Sequence, residues 1–317
     1  MTKILITGGA GYIGSHLTTE LLKHGYEIRV FDNFSGDGGL QNEIMKITET
    51  IYGDVLDFDL LQKSMVGVDL VIHLAAKKSI SESALNPALY FNINLNGTIN
   101  VINAMRAQGI RKIIYASSAA VYGNCDDSPI IEDYKLKPTS VYGMTKLISE
   151  EILTFFSGLD GYSQIIFRYF NVIGSVSNEL RDRSKFNLVP IMVDATLKDK
   201  SIEIYGTDYF TKDGTCVRDY IHISDLVKAH LIAIDKLMKN DSVSIYNLGS
   251  GIGHSVIDVI KILEEISGKA VKRSNSTKRA GDSATLVSSI NKIKQELEWL
   301  PQFNITETIT SDWNSTF

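Results

Sequence analysis

Cysteine is scarce and unpatterned in this chain. Cys125 and Cys216 are the only two among 317 residues, and neither belongs to a C-x-x-C pair. That excludes a disulfide framework and suits two reduced thiols in a cytoplasmic protein. The six histidines have no metal-ligand spacing, so no metal site is expected. There is no basic tail and no long run of one charge, and the net charge is -5; no nucleic-acid partner is expected. The apolar runs are too short to span a bilayer, so no membrane partner is expected either. Met1-Thr2-Lys3-Ile4-Leu5 leads straight into a strand-like run, which leaves no room for a secretion signal. Low-complexity linkers and solenoid-period repeats are also absent. What is present is 44% hydrophobic and 22% charged, an ordinary globular composition. It is long enough for one large α/β unit or two modest domains.

Residues 3 to 7 form a short apolar run that ends in glycines, the pattern of a buried parallel strand feeding a tight turn. Residues 12 to 24 read as helix and 26 to 31 as a second strand ending at Asp32. Strand-like runs recur near 47 to 52, 69 to 74, 111 to 116 and 162 to 168. Helix-like runs lie near 57 to 66, 86 to 108 and 139 to 157. This alternation predicts a Rossmann-type, doubly wound parallel sheet covered on both faces. After about residue 170 the rhythm changes. Helical pieces at 187 to 198, 224 to 239, 255 to 267 and 290 to 298 mix with short strands at 202 to 205 and 243 to 247. We expect an α/β chain with a nucleotide domain over 1–170 and a smaller, mixed α/β substrate lobe over 171–317. Segments are expected to be exchanged between the two.

Gly8-Gly9-Ala10-Gly11-Tyr12-Ile13-Gly14 stands between the first strand and the first helix. Glycines at 8, 11 and 14 allow a tight turn, close approach to a pyrophosphate and helix packing on the sheet. The helix N-terminus, at Tyr12 and Ile13, then faces the phosphates. Asp32, at the end of the second strand, can accept hydrogen bonds from ribose hydroxyls and repel a 2′-phosphate, which favours NAD over NADP. Asn33 follows it. Asp54-Val55 closes the third strand and can hold the adenine edge. Leu74-Ala75-Ala76 closes the fourth with small residues that admit a flat ring, and Lys78 comes next. All lie at the carboxyl ends of successive strands, where open α/β sheets bind ligands.

Tyr142 and Lys146 are four residues apart in a helix-like run and so share a face. Tyrosine alone is a poor base, with a reference pKa of about 10. A neighbouring ammonium favours the phenolate, and a cationic nicotinamide ring would favour it further. Such a pair can take a proton from a substrate hydroxyl while a hydride leaves the same carbon. Ser118, at the end of the strand starting near Arg111, offers a hydroxyl to share that proton.

These motifs, with Gly53-Asp54, Arg168-Tyr169-Phe170-Asn171, Asp213-Gly214-Thr215-Cys216-Val217-Arg218-Asp219-Tyr220-Ile221-His222 and Tyr246-Asn247-Leu248-Gly249, resemble the extended short-chain dehydrogenase/reductase family. Within it the closest likeness is to the UDP-glucose 4-epimerase branch, over nearly the whole chain. The resemblance implies NAD as cofactor, a UDP-sugar as substrate, and C4 oxidation followed by re-reduction. The alternative is 4-epimerisation of another UDP-sugar: UDP-N-acetylglucosamine, UDP-glucuronate or a UDP-pentose. It assigns Tyr142, Lys146 and Ser118 to catalysis and adds Tyr169 to the cofactor residues. It places Lys78, Ser118, Tyr142, Asn171, Asn187, Leu188, Tyr205, Arg218, Arg279 and Asp282 around the substrate, with the arginines on the diphosphate, Tyr205 beside uracil and Asp282 at the uridine ribose. Related dehydratases carry an acid after the Ser118-like serine; here Ala119 and Ala120 stand there. Leu286 falls where the family decides whether an N-acetyl group fits. The helices near 86 to 108 and 139 to 157 match those that pair in family homodimers.

Overall fold

In the computed structural model, which describes residues 1–36, 46–125, 128–279 and 282–317, the first six strands are β1 (Lys3–Thr7), β2 (Glu27–Asp32), β3 (Glu49–Tyr52), β4 (Leu70–His73), β5 (Lys112–Ser118) and β6 (Ser163–Tyr169). All pair in parallel. Side chains alternate across a strand, and here both faces are apolar. Ile4, Ile6, Ile72, Ile114, Ile165 and Phe167 enter one buried core. Leu5, Val71, Ile113 and Ile166, one residue out of phase, enter a second core on the opposite face. The first core is covered by the Tyr12–Lys23 and Ile223–Lys239 helices through Leu17, Leu21, Leu226, Ala233 and Leu237. The second is covered by Leu61 of Phe58–Ser64, Val101 and Met105 of Gly97–Gln108, and Leu153 of Val141–Asp160.

The strand order is Val243–Leu248, β6, β5, β4, β1, β2, β3. The chain moves outward from β1 through β2 and β3, then returns to β4 on the other side. The gap between β1 and β4 is therefore the topological switch point, the place where such sheets take ligands. The seventh strand, Val243–Leu248, pairs in parallel with β6, so the second half of the chain supplies both an edge strand and a covering helix to this layer.

The remaining strands make a small mixed sheet. Val217–His222 pairs with Asn171–Ile173 and Thr285–Leu286 in parallel, and with Gly253–Ser255 antiparallel. A separate parallel pair joins Ile202–Tyr205 to Arg273–Ser276. Leu188–Leu197, Val256–Ser267 and Ile305–Asn314 cover it with Val189, Met192, Ile260, Leu263, Ile309 and Trp313. Asp219, fully buried, ties this lobe together. Its carboxylate accepts from the N–H groups of Ser250, Gly251 and Ser288 at 2.7, 3.0 and 3.1 Å and from both serine hydroxyls. The expected strand at 202 to 205 is present as Ile202–Tyr205, but sequence periodicity did not announce the Ile305–Asn314 helix, the short Ile80–Leu85 helix or the other lobe strands, several of which span only two or three residues.

The expected helix over 86 to 108 is not one regular α-helix. Ile80–Leu85 ends at Asn86, which leaves the α region (φ -129, ψ 59), as the residue before a proline tends to do. Pro87 then opens a new turn at Pro87–Tyr90. Phe91–Asn96 winds as a π-helix before the α-helix Gly97–Gln108. A π-turn inserts an extra residue per turn and rotates the following side chains. Asn94 lies in it, and it is nearly fully buried.

Candidate active site

The glycine-rich turn is shaped by backbone contact. Gly8 has φ +74, and a Cβ there would meet the Ala75 N–H nitrogen at 2.8 Å. A Cβ on Gly14 would lie 2.2 Å from the Gly8 carbonyl oxygen. Only hydrogen fits at either position, so β1, the loop after β4 and the first helical turn close on one another. Gly11 is the extended residue before that helix, with no side-chain cap of its own; helix N-termini of this kind leave N–H groups for a ligand. Asp32 closes the far side. Its carboxylate accepts from Ala10 N–H at 2.9 Å and Phe34 N–H at 2.8 Å, and burial raises its pKa against those bonds. Asn33 donates to Asp54 at 2.7 Å, which also accepts from Leu56 N–H.

A cavity of about 310 Å³ runs along these strand ends. It is lined by Gly8, Gly11, Tyr12, Ile13, Gly14, Asp32, Asn33, Asp54, Val55, Leu74, Ala75, Ala76, Lys78, Tyr142, Lys146 and Tyr169, so every position singled out from the sequence for the cofactor faces one space. Sequence reasoning missed Phe34, Lys77, Glu82 and Ile93, and also Asp182, Ser184 and Phe186, which come in from the second half of the chain. It also missed Asn94. That amide accepts from Lys77 N–H at 2.8 Å and donates to the Lys77 carbonyl at 2.9 Å and to Thr145 Oγ1 at 3.1 Å. It clamps the loop after β4 to the helix that carries Tyr142. The only local signal for it is the Asn86-Pro87 break just upstream.

Val141–Asp160 begins with Ser140 capping Gly143 N–H at 3.0 Å, and this fixes the first turn on which Tyr142 stands. Gly143 is required there, because a Cβ would sit 2.5 Å from the Ala120 carbonyl oxygen. Lys146 is buried and donates to the Ala116 carbonyl at 2.7 Å, with its ammonium 4.8 Å from the Tyr115 ring centre. Burial lowers its pKa to about 7, with Glu150 opposing. Glu150, one turn on, accepts from Arg168 through two nitrogens, at 2.7 and 3.1 Å, and from the Ser117 hydroxyl. Arg168 also donates to the Tyr122 hydroxyl, which donates to Asn247 at 2.6 Å. Tyr169 meets His230 Nε2 at 2.7 Å.

The lysine was expected to make Tyr142 acidic. In the protein alone burial raises the tyrosine above its ordinary value and a hydrogen bond with Ser118 lowers it, while the Lys146 ammonium is held by its hydrogen bond to the Ala116 carbonyl. Ser118 accepts from Ala120 N–H at 3.2 Å and does not itself line the cavity, unlike Ala116 and Ser117 before it.

The other substrate-side positions lie outside this cavity. Arg218 pairs with Asp282 at 3.4 Å, and the Arg279 guanidinium lies 3.8 Å from the Tyr205 ring centre. Asn171 sits opposite Tyr220, two residues along the strand from Arg218, which is itself opposite Leu286. Asn187 stands at the start of Leu188–Leu197 but donates to Asp182 at 2.6 Å rather than capping the helix. Among the described residues no histidine, cysteine and carboxylate group could hold a metal ion, and no helix is long and apolar enough to cross a membrane.

A model of the NAD dependent epimerase/dehydratase family matches residues 4–249. The chain belongs to that family. Its relatives in it include the UDP-glucose 4-epimerase of Bacillus subtilis, 39% identical over 98% of this chain and 95% of that protein. The crystal structure of the Bifidobacterium longum UDP-glucose 4-epimerase in complex with NAD+ and UDP superposes with a TM-score of 0.93, at 34% identity over 99% of this chain and 98% of that one. The UDP-Glc/GlcNAc 4-epimerase of Campylobacter jejuni follows at a TM-score of 0.86 and 34% identity, over 99% of both chains. The family's cofactor fits the donors present. A cradle with no room for a Cβ, a half-buried carboxylate at the end of β2 and a half-buried tyrosine beside a buried lysine all face one cavity.

Proposed function

We propose that the protein interconverts UDP-glucose and UDP-galactose by oxidising the sugar at C4 and reducing it again on the opposite face. One observation carries the reading: Tyr142 and Lys146 share a cavity with the glycine turn and Asp32, and the same helix turn carries the Ser118 hydrogen bond. The turn residues Gly8, Gly11, Tyr12, Ile13 and Gly14 hold the pyrophosphate, Asp32 and Asn33 the adenosine ribose, and Asp54 and Val55 the adenine. Leu74, Ala75, Ala76, Lys78, Lys146 and Tyr169 hold the nicotinamide end. NAD held there supplies a two-electron acceptor and donor for the hydrogen at C4, and a positive charge that favours the Tyr142 phenolate.

Tyr142 takes the proton of the 4-hydroxyl and, once the sugar has turned over, returns it to the same oxygen. Ser118 shares that proton. Ala119 and Ala120 present no carboxylate at the position where the related dehydratases carry the acid that eliminates water. Arg218 and Arg279 hold the diphosphate with forked donors, Asp282 the uridine ribose and Tyr205 the uracil. Asn171, Asn187 and Leu188 complete the substrate side. Firm anchoring of the nucleotide leaves the hexose free to turn. The nucleotide half spans 1–170 and the substrate lobe 171–317, with the Ile223–Lys239 helix and the Val243–Leu248 strand lent back to the sheet. Exposed Leu85, Phe155 and Leu159 on the helices beside the site support a homodimer paired through them, to be checked by sedimentation.

The test incubates the purified protein, without added NAD, with UDP-glucose, UDP-galactose, UDP-N-acetylglucosamine, UDP-glucuronate and a UDP-pentose, and identifies the products. Interconversion of the first two, abolished in Tyr142→Phe with UDP binding retained, is expected. Accumulation of a free keto sugar, or turnover only of another UDP-sugar, overturns the assignment. Leu286, mid-sized and packed beside the group of Ala119, Tyr122 and Phe170, keeps the N-acetylated sugar in that panel.

A further inference from the structure

The nucleotide half does not close its cavity alone. Asp182, Ser184 and Phe186 line it from a segment that follows the Asn171–Ile173 strand. What fastens that segment is a grip on Gly174 from two sides. The Gly174 carbonyl accepts from the Tyr12 hydroxyl at 2.6 Å, and its N–H donates to Asp312 Oδ2 at 2.7 Å. The next N–H, of Ser175, donates to Ser311 at 3.1 Å. Gly174 has φ +92, and a Cβ there would lie 2.5 Å from the His222 ring, so the strap is pressed onto the lobe at this point.

Tyr12 is also the first residue of the helix that opens behind the glycine turn. One side chain thus joins the cofactor cradle to the strap across 162 residues of sequence. Its ring is buried and meets His16 edge-on at 5.2 Å. Burial holds the phenol well above its ordinary pKa, so the hydroxyl is a donor at any working pH. Removing the oxygen alone leaves the ring packing in place.

We propose that Tyr12 is a positioning residue that holds the 174–187 strap closed over the bound dinucleotide and so keeps the cofactor resident from one turnover to the next. The inference rests on the cofactor reading above. A reaction that borrows and returns its hydrogen within one cycle has no need to exchange its dinucleotide. An enzyme that released reduced cofactor each cycle would be slowed by the same fastening.

The experiment loads the full-length protein with radiolabelled NAD and chases with an excess of unlabelled NAD. Loss of one buried hydrogen bond is expected to speed release about tenfold in Tyr12→Phe. Asp312 grips the same strap from the other side and is not part of the cavity lining, so Asp312→Ala should speed release by a similar factor. Ser311→Ala, a milder change on the same helix, replaces it if that variant does not fold. Faster release in Tyr12→Phe and in the variant on the C-terminal helix is the result expected. Release within twofold of wild type in folded Tyr12→Phe overturns the proposal. So does faster release confined to Tyr12→Phe, which would mean the tyrosine acts on the cradle and not through the strap. Failure of wild-type protein to retain any labelled NAD would instead refute the cofactor reading itself.

Discussion

Replacing Asn94 by alanine tests how the candidate site is held. The amide is nearly fully buried and makes three hydrogen bonds, two of them to the main chain of Lys77 and one to Thr145. A typical buried hydrogen bond contributes about 1 kcal/mol net, and a donor or acceptor left stranded costs about 1–3 kcal/mol. Lys77 is only partly buried, so water can satisfy part of what is lost. The expected loss is about 3 kcal/mol in unfolding free energy, read by urea denaturation. Activity should fall further than stability alone requires. The clamp sets the loop bearing Ala75, Ala76 and Lys78, and a shift of about 1 Å in a positioning group can cost about 100-fold in rate. A fall in kcat of about 10- to 100-fold in folded protein is expected. A double-mutant cycle with Thr145→Val should return about 1 kcal/mol of coupling, because the two side chains share one bond. Unfolding free energy within about 0.5 kcal/mol of wild type, together with unchanged kcat, would refute the clamp.

Gly14→Ala should fold but fail to bind NAD in a direct titration, because its Cβ would fall 2.2 Å from a main-chain oxygen of the glycine turn; normal affinity would show that the turn can yield. Glu150→Gln leaves the buried Arg168 without its counter-charge and should cost about 3–5 kcal/mol of stability. Adding Arg168→Met should recover much of that in the same denaturation assay, and no recovery would mean the pair is not what matters. His16, His222 and His230 are lowered by burial to about 4 and His73 to about 3. A base held below its ordinary pKa resists protonation when folded, so this stability is complete above about pH 6.5 and is lost as pH falls toward the folded values, by up to about 2 kcal/mol for each group between pH 7 and 5. Asp312 runs the other way: burial raises it to about 7, so its contribution is complete below about pH 4 and is lost as pH rises through 7. The four strongly lowered histidines outweigh Asp312 and predict a lower urea midpoint at pH 5 than at pH 7, and an equal or higher one would contradict the burial of these rings.

Residues that act through local geometry were legible in the sequence. The glycine turn, Asp32 at a strand end and the Tyr142–Lys146 spacing each need only a few neighbouring residues to define them, and all face one cavity. The doubly covered sheet was legible because β1, β4, β5 and β6 are apolar on both faces. Depth was not legible. Lys146 was expected to favour the Tyr142 phenolate; burial is the largest influence on both groups, and burial depends on what the rest of the chain packs around them. Long-range partners were equally hidden. Asn94 looks like any helical asparagine until the π-turn rotates it toward Lys77. Asp182 and Phe186 reach the cavity from a segment whose Gly174 is bonded to Tyr12 and Asp312, both far away in sequence.

The parallel pairing of Val243–Leu248 with β6 has a consequence for synthesis on the ribosome. Until residue 248 has emerged, β6 is a bare margin with unpaired N–H and C=O groups, a template for association with other chains. The nascent nucleotide half therefore cannot be completed before four-fifths of the polypeptide, roughly, has been made. A fragment cut at residue 170 should be prone to aggregate, whereas one extended past Leu248 should stay dispersed.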